Sequence, residues 1–371
     1  MSSTLTLWTN VPGATIRLWS EAFKPVWAET IEAGHSSEGA WDERKTDDAG
    51  NTSFMFVPAG PATAYITAPG FNPLQFDTVM PDDGAKIITL ERAPLPRVAV
   101  RGQRFYRGDQ PWFLKGASMF TLFQRFLDGE DVRPQLQQLT EFGTNCIRVF
   151  GMFHYINVNE FGKPAFKPQA YGDRFYDLTP AFSDLSAEFG LYVYWSCFPD
   201  NDLIMPTHAQ RRAHFDRWVP ALQSRANNLF ELTNEQDAHA FNRVDAALYP
   251  KPNGMASCAG SYGDVGGPMP PPYWDFLDYH APRYYPAGIK DCCLADHPNF
   301  LRDKSGILLG EPDRFGSNGN SNAEQARQSA GTSIGTALGI VFHSRNGVRG
   351  EVFDSETRRC AEAFYGPLKG V

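Results

Sequence analysis

The chain has 371 residues, 42% of them hydrophobic and 20% charged, with a formal net charge of −8. That length fits one large domain with a small companion, in an ordinary globular composition. The acidic balance and the lack of any basic run exclude the cationic stripe a nucleic-acid partner requires, and no apolar run reaches the roughly 18 residues that cross a bilayer.

The N-terminus, MSSTLTLWTNVPG, lacks a charged segment followed by an apolar one, so no secretory signal is expected and the compartment stays open. Residues 1–93 then alternate with period two in TLTLWT, ATIRLW, TSFMFV, TAYITA and KIITLE, with turn formers such as Asp47-Asp48-Ala49-Gly50-Asn51 between them. Short strands at this spacing predict a small all-β sandwich over 1–93. Residues 94–98, opening Pro94-Leu95-Pro96, read as a linker, because proline stiffens a boundary and cannot continue a ladder.

From residue 99 to 371, strand-like and helical patterns alternate. Apolar runs fall at 112–118, 144–150, 191–196, 228–235, 255–261, 275–280, 306–311 and 337–343, with helical periodicity at 130–142, 180–189, 208–226 and 322–334. Eight such alternations over about 270 residues predict an α/β fold of the (β/α)8 TIM-barrel type. The alternative, a doubly wound sheet, calls for a glycine-rich phosphate turn after its first strand, and LKGASMF is not one. Six cysteines (146, 197, 258, 292, 293 and 360) show no metal-ligand spacing and read as reduced thiols, three of them in or just after apolar runs.

A barrel places its chemistry at the C-terminal ends of strands. Arg148 lies within the second strand; Asn234-Glu235 closes the fourth, His280 the sixth and Glu311 the seventh. Glu235 and Glu311 lie 76 residues apart, on strands that face each other across a closed barrel. Two carboxylates so placed suit glycoside hydrolysis: one gives the leaving oxygen its proton, and the other meets the anomeric carbon. Asn234 would bond a sugar hydroxyl, Arg148 would pair with Glu311, His280 would contact Glu235, and Tyr284 or Tyr285 would donate to Glu311. Trp195 and Trp274 are candidate sugar platforms, since a flat ring packs on the apolar face of a pyranose. His343, closing the eighth strand, is a candidate subsite contact. Glu231 shares strand parity with Glu235 and is expected to be buried beside a cation.

The segments GQRFYRGDQPWFLKGASMF, GTNCIRVF, LFELTNEQ, DYHAPRY and ILLGEPDRFG resemble the barrel clan that includes cellulase-like and mannanase-like glycoside hydrolases. The resemblance covers residues 100–345 and implies a retaining mechanism, with Glu235 as acid/base, Glu311 as nucleophile and carboxyl groups about 5–5.5 Å apart. Three positions depart from the clan's pattern: Gln236 stands where Pro commonly follows Asn-Glu, Ser196-Cys197 where many members have His, and His343 where many have Trp. The patterns NVPGATIRLW, DDAGNTSFMFVPAG and PGFNPLQF resemble the carboxypeptidase regulatory-like β-sandwiches.

These features together predict an endo-acting β-glycanase on glucan or mannan that needs no cofactor and works as a monomer, with a saccharide as its partner and neither nucleic acid nor membrane. The alternative is a non-catalytic carbohydrate-binding or virion structural protein on a degenerate barrel.

Overall fold

The computed structural model describes residues 3–19, 41–57, 59–68, 70–80, 85–154, 162–199, 201–234, 244–262, 274–280, 307–311, 323–334 and 337–371. The chain divides into two units, Met1–Pro94 and Leu95–Val371. In the first, strands β1 (Ser3–Thr9), β2 (Thr15–Trp19), β3 (Trp41–Lys45), β4 (Asn51–Val57), β5 (Gly60–Thr67), β6 (Leu74–Met80) and β7 (Ala85–Ile88) form two sheets. Their orders are β4-β1-β7 and β3-β2-β5-β6. Leu5 and Leu7 from one sheet share a core with Ile16, Leu18, Ala64 and Ile66 from the other. The turn before β4 needs glycine: Gly50 has φ +80°, and a Cβ there would stand 2.1 Å from the Thr9 carbonyl oxygen. Sequence periodicity did not reveal β3 and β6. WDERK has almost no apolar alternation, and the strand becomes one by pairing with β2.

The second unit opens with an antiparallel meander, β8 (Val98–Arg101), β9 (Arg104–Arg107) and β10 (Gln110–Trp112). The expected linker 94–98 thus runs into β8, where Val98 is buried. A parallel sheet follows, built from β11 (Leu114–Ser118), β12 (Cys146–Phe150), β13 (Tyr192–Ser196), β14 (Asn228–Glu231), β15 (Ser257–Cys258), β16 (Ser261–Tyr262), β17 (Leu277–His280), β18 (Ile307–Glu311) and β19 (Gly339–Phe342). Among the described residues its order is β15-β14-β13-β12-β11-β19-β18-β17-β16. The sheet curls, and its two terminal strands in this order are separated along the chain only by Ala259 and Gly260.

Strand sequences such as CIRVF and YVYWS are buried at every position, as expected where both faces of a parallel sheet are covered. One face packs on helices through Ile147, Val149, Val193, Trp195, Phe230 and Phe342. The other encloses Cys146, Tyr192, Tyr194, Leu229 and Val341, and the meander contributes Val98, Phe105 and Trp112 to the same cluster. The helix expected at 180–189 spans Asp173–Glu188 and carries Pro180 inside it. Its buried residues are Phe175, Thr179, Phe182, Ser183 and Ser186, which share one face at spacings of three and four.

Close approach of β19 to β11 depends on Gly339, where a Cβ would lie 2.4 Å from the Leu114 carbonyl oxygen. Gly339→Ala should therefore lower the unfolding free energy by about 3 kcal/mol in urea titrations. Gly331→Ala, in the helix Ala323–Ser333 with nothing within 4 Å, should raise it by about 0.5–1 kcal/mol. Equal effects at the two sites would contradict the packing described.

Candidate active site

Alternation along each strand decides which side chains meet inside the curled sheet. Arg148 shares parity with the enclosed Cys146, Glu231 with Leu229, and His280 with Asp278. Arg148 and Glu231 are both fully buried. Arg148 Nη2 donates to Glu231 Oε2 at 2.8 Å and Oε1 at 3.0 Å, and Nε donates to Oε2 at 3.2 Å. Nη2 also donates to Asn234 Oδ1 at 2.6 Å. The guanidinium carbon lies 5.6, 5.4 and 5.8 Å from the rings of Phe120, Phe150 and Tyr194, and Phe120 stacks on Phe150 at 3.7 Å. Burial of two charges is costly, so this forked geometry with an added amide acceptor is what makes the pair tolerable. Glu231 thus has the cationic partner expected of it.

A second acid lies in the same interior. Asp278 Oδ2 accepts from the Tyr194 hydroxyl at 2.8 Å, and that hydroxyl is also 3.0 Å from Cys258 Sγ. Asp278 Oδ1 lies 3.8 Å from His280 Nε2. Burial pushes the Asp278 carboxyl up to about 6; His280 and Arg148 pull it back, Glu231 pushes it further, and the Tyr194 hydrogen bond lowers it. Burial, then the neighbouring acids, holds the Tyr194 hydroxyl well above its ordinary value, so it stays a donor. Burial likewise raises the Cys258 thiol.

Glu231, Cys258 and Asp278 each bring one potential ligand atom within 4.8 Å of the others. They fit a divalent ion poorly: Arg148 grips both oxygens of Glu231, Tyr194 holds Asp278, and the raised thiol resists becoming the thiolate a metal needs. The cluster is a hydrogen-bonded ionic network.

The residues expected from sequence separate as follows. Glu235 and Tyr284 lie outside the described residues, and so does the side chain of Glu311. Among the described residues Arg148 pairs with Glu231 and Asn234; its expected pairing with Glu311 lies outside the described side chains. His343 follows β19, is buried, and places Nδ1 3.1 Å from Ser118 Oγ and its ring 5.2 Å from that of Phe120.

Neither tryptophan forms a platform at the strand ends. Trp195 has the opposite parity to Tyr194, is fully buried against Phe123, Phe182 and Trp218, and donates Nε1 to Asn228. Trp274 precedes β17, at the end of that strand opposite His280, and stacks along Phe230. Proximity to a strand end in sequence was the wrong criterion; parity and strand direction decide.

The register of β18 supplies what side-chain positions do not. Leu277, Asp278 and Tyr279 align with Ile307, Leu308 and Leu309, but His280 aligns with Glu311. The irregularity falls at Gly310. It moves Glu311 from the parity of Leu309 to the register that carries Asp278 and His280.

No family model matches this sequence, nor does any curated protein. Solved structures do match. One, from Bacteroides vulgatus ATCC 8482 and provisionally assigned as a glycoside hydrolase, shares 11% identity over 96% of this chain and 75% of its own, with a TM-score of 0.51. The likeness is one of fold. The β-mannanase of the blue mussel Mytilus edulis aligns at 9% identity over 75% of this chain and 98% of its own, with a TM-score of 0.49. A xyloglucanase from Bacteroides ovatus aligns at 12% identity over 100% and 96%, with a TM-score of 0.41. No helix among the described residues is long and apolar enough to cross a membrane.

Sequence reasoning missed Phe120, Phe150, Tyr194 and Asp278. Parity with His280 would have found Asp278, just as parity with Glu235 drew notice to Glu231.

The two acids give separable predictions. A carboxyl raised from 3.8 to about 6 in the folded protein binds its proton more tightly than in the unfolded chain, so stability falls as pH rises from about 4 to 6. Asp278→Asn should remove that fall, an effect of about 3 kcal/mol at most, read by urea titration at pH 4, 5, 6 and 7. Parallel profiles for variant and wild type would refute it. Arg148→Met should cost about 3–5 kcal/mol by leaving Glu231 charged and alone, and Arg148→Met with Glu231→Leu should recover much of the loss.

Proposed function

We propose that the chain is a retaining glycoside hydrolase of β-linked polysaccharide, glucan or mannan in type and endo in action, on a closed (β/α)8 barrel preceded by a β-sandwich. Closure is supported by β15 and β16, which stand at opposite ends of the sheet order yet only two residues apart in the chain. The observation that carries the functional assignment is the irregular register at Gly310, which brings Glu311 level with His280 on the enclosed register. A carboxylate at the C-terminal end of a barrel strand lies where this fold holds its chemistry.

Asn234 supports the other half of the site. Its Oδ1 accepts from Arg148, which orients the amide so that Nδ2 serves as the donor toward a sugar hydroxyl. Glu235 is the next residue. In the proposed reaction, the Glu311 carboxylate attacks the anomeric carbon while Glu235 protonates the departing oxygen, and the glycosidic C–O bond breaks. Glu235 then takes a proton from water, whose oxygen attacks the same carbon and releases Glu311. The two carboxyl groups must then stand about 5–5.5 Å apart. Arg148 acts on this chemistry through Asn234.

The test is hydrolysis of a panel of β-1,4-linked glucans and mannans, together with an activated fluoro-sugar that traps the nucleophile. Turnover should fall by about 10²–10⁴-fold in Glu235→Gln and Glu311→Gln, and the added mass should map to Glu311. Binding without turnover or trapping across the panel would favour the non-catalytic alternative instead.

A further inference from the structure

We propose that the solvent face of the sheet β3-β2-β5-β6 is a binding surface for a neutral glycan chain. Along β2, Ile16 and Leu18 are buried while Arg17 and Trp19 face out; along β5, Ala64 and Ile66 are buried while Tyr65 faces out. Trp19 and Tyr65 are 37% and 38% exposed, so part of each ring is open to solvent. Register makes them diagonal neighbours, since Trp19 pairs with Thr63 and Arg17 with Tyr65. Trp41 is the register partner of Trp19 on β3. Trp19 and Tyr65 therefore stand side by side on one face, with a diagonal separation of about 7–8 Å.

The polar side chains among them are already ordered. Arg17 Nε donates to Glu43 Oε2 at 2.6 Å, and Thr63 Oγ1 donates to Asp77 Oδ1 at 2.7 Å. Gln75 aligns with Tyr65 and extends the polar row. Fixing donors and acceptors before a ligand arrives reduces the entropy lost on binding. The charges on the face balance, Arg17 and Lys45 against Glu43 and Asp77. That balance offers nothing to a polyanion or an anionic lipid surface, and the row Glu43, Arg17, Tyr65 and Gln75 separates the rings from any continuous apolar patch of the kind a protein partner covers. A chain of sugar rings suits both features: apolar C–H faces for the rings and hydroxyls for the ordered polar groups.

This inference does not depend on hydrolysis. The test uses the full chain carrying Glu311→Gln, to suppress turnover, in native gels containing hydroxyethyl cellulose, galactomannan or a sulfated glycan. Trp19→Thr and Tyr65→Thr keep strand-forming residues at both positions, with far-UV circular dichroism and the thermal midpoint as folding controls. One of the neutral polymers should retard the Glu311→Gln chain, and the added pair of substitutions should weaken that binding about tenfold or more. With Glu311 restored, cleavage of a short activated glycoside should be unaffected by the pair. Retardation that survives both substitutions, retardation by the sulfated polymer alone, or none by any polymer overturns the proposal. Loss of binding in the pair together with no hydrolysis by the wild type would overturn the enzymatic assignment and leave this one standing.

Discussion

The Arg148–Glu231 pair is the constraint around which the interior of the second unit is arranged. The two residues stand on β12 and β14, with β13 between them. Two strand spacings amount to about 10 Å, so only long side chains reaching across the sheet's concave face can meet. A guanidinium spans that gap and engages both carboxylate oxygens at once, which an ammonium cannot do. The environment then follows from the charge. Phe120, Phe150 and Tyr194 offer ring faces, and Asn234 offers a carbonyl oxygen, so the guanidinium is satisfied on several sides without water. Asn234 is the point where this structural requirement reaches the proposed chemistry.

The interior treats its two described acids in opposite ways. Glu231 meets a full positive charge in forked geometry, whereas Asp278 meets a hydroxyl, a thiol-bearing neighbour and an imidazole 3.8 Å away. Burial without a dedicated cation favours the protonated form of Asp278 up to about pH 6. Asp278 is one pleat below His280 on the same strand, with 3.8 Å between Oδ1 and the imidazole Nε2. A site built this way sets a forked ion pair beside an acid whose charge depends on pH.

Much of the second unit was legible because parallel strands covered on both faces are written as short apolar runs between helical patterns. Each of the eight apolar runs meets a strand of this sheet for that reason, the run 255–261 taking in β15 and the start of β16. The small antiparallel elements were harder. Strand β3 carries little apolar alternation and exists through pairing with β2, well before it in the chain, whereas β6 and the meander over 98–112 are short strands fixed by hairpin pairing with their immediate chain neighbours. In the candidate site, residue identity at strand ends was legible and orientation was not. Trp195 and Trp274 show the difference: parity turns the first into the helical layer, and chain direction puts the second at the wrong end of its strand.

Gly310 is where local irregularity and proposed function meet. In an uninterrupted β18, Glu311 would share its face with Leu309, whose register partner Tyr279 alternates with the enclosed Asp278 and His280. One extra residue reverses that register for the end of the strand alone, leaving the pairing of Ile307–Leu309 with Leu277–Tyr279 in place. Glycine suits such a position because it carries no side chain that must be given a face. The sequence GILLGE thus held the signal in its isolated glycine, but the change of parity it causes is a property of pairing with β17 and is fixed only when the two strands meet. A register shift of this kind is the backbone route by which an acid at the end of an apolar strand would join the interior in the proposed site, at the cost of one interrupted ladder position.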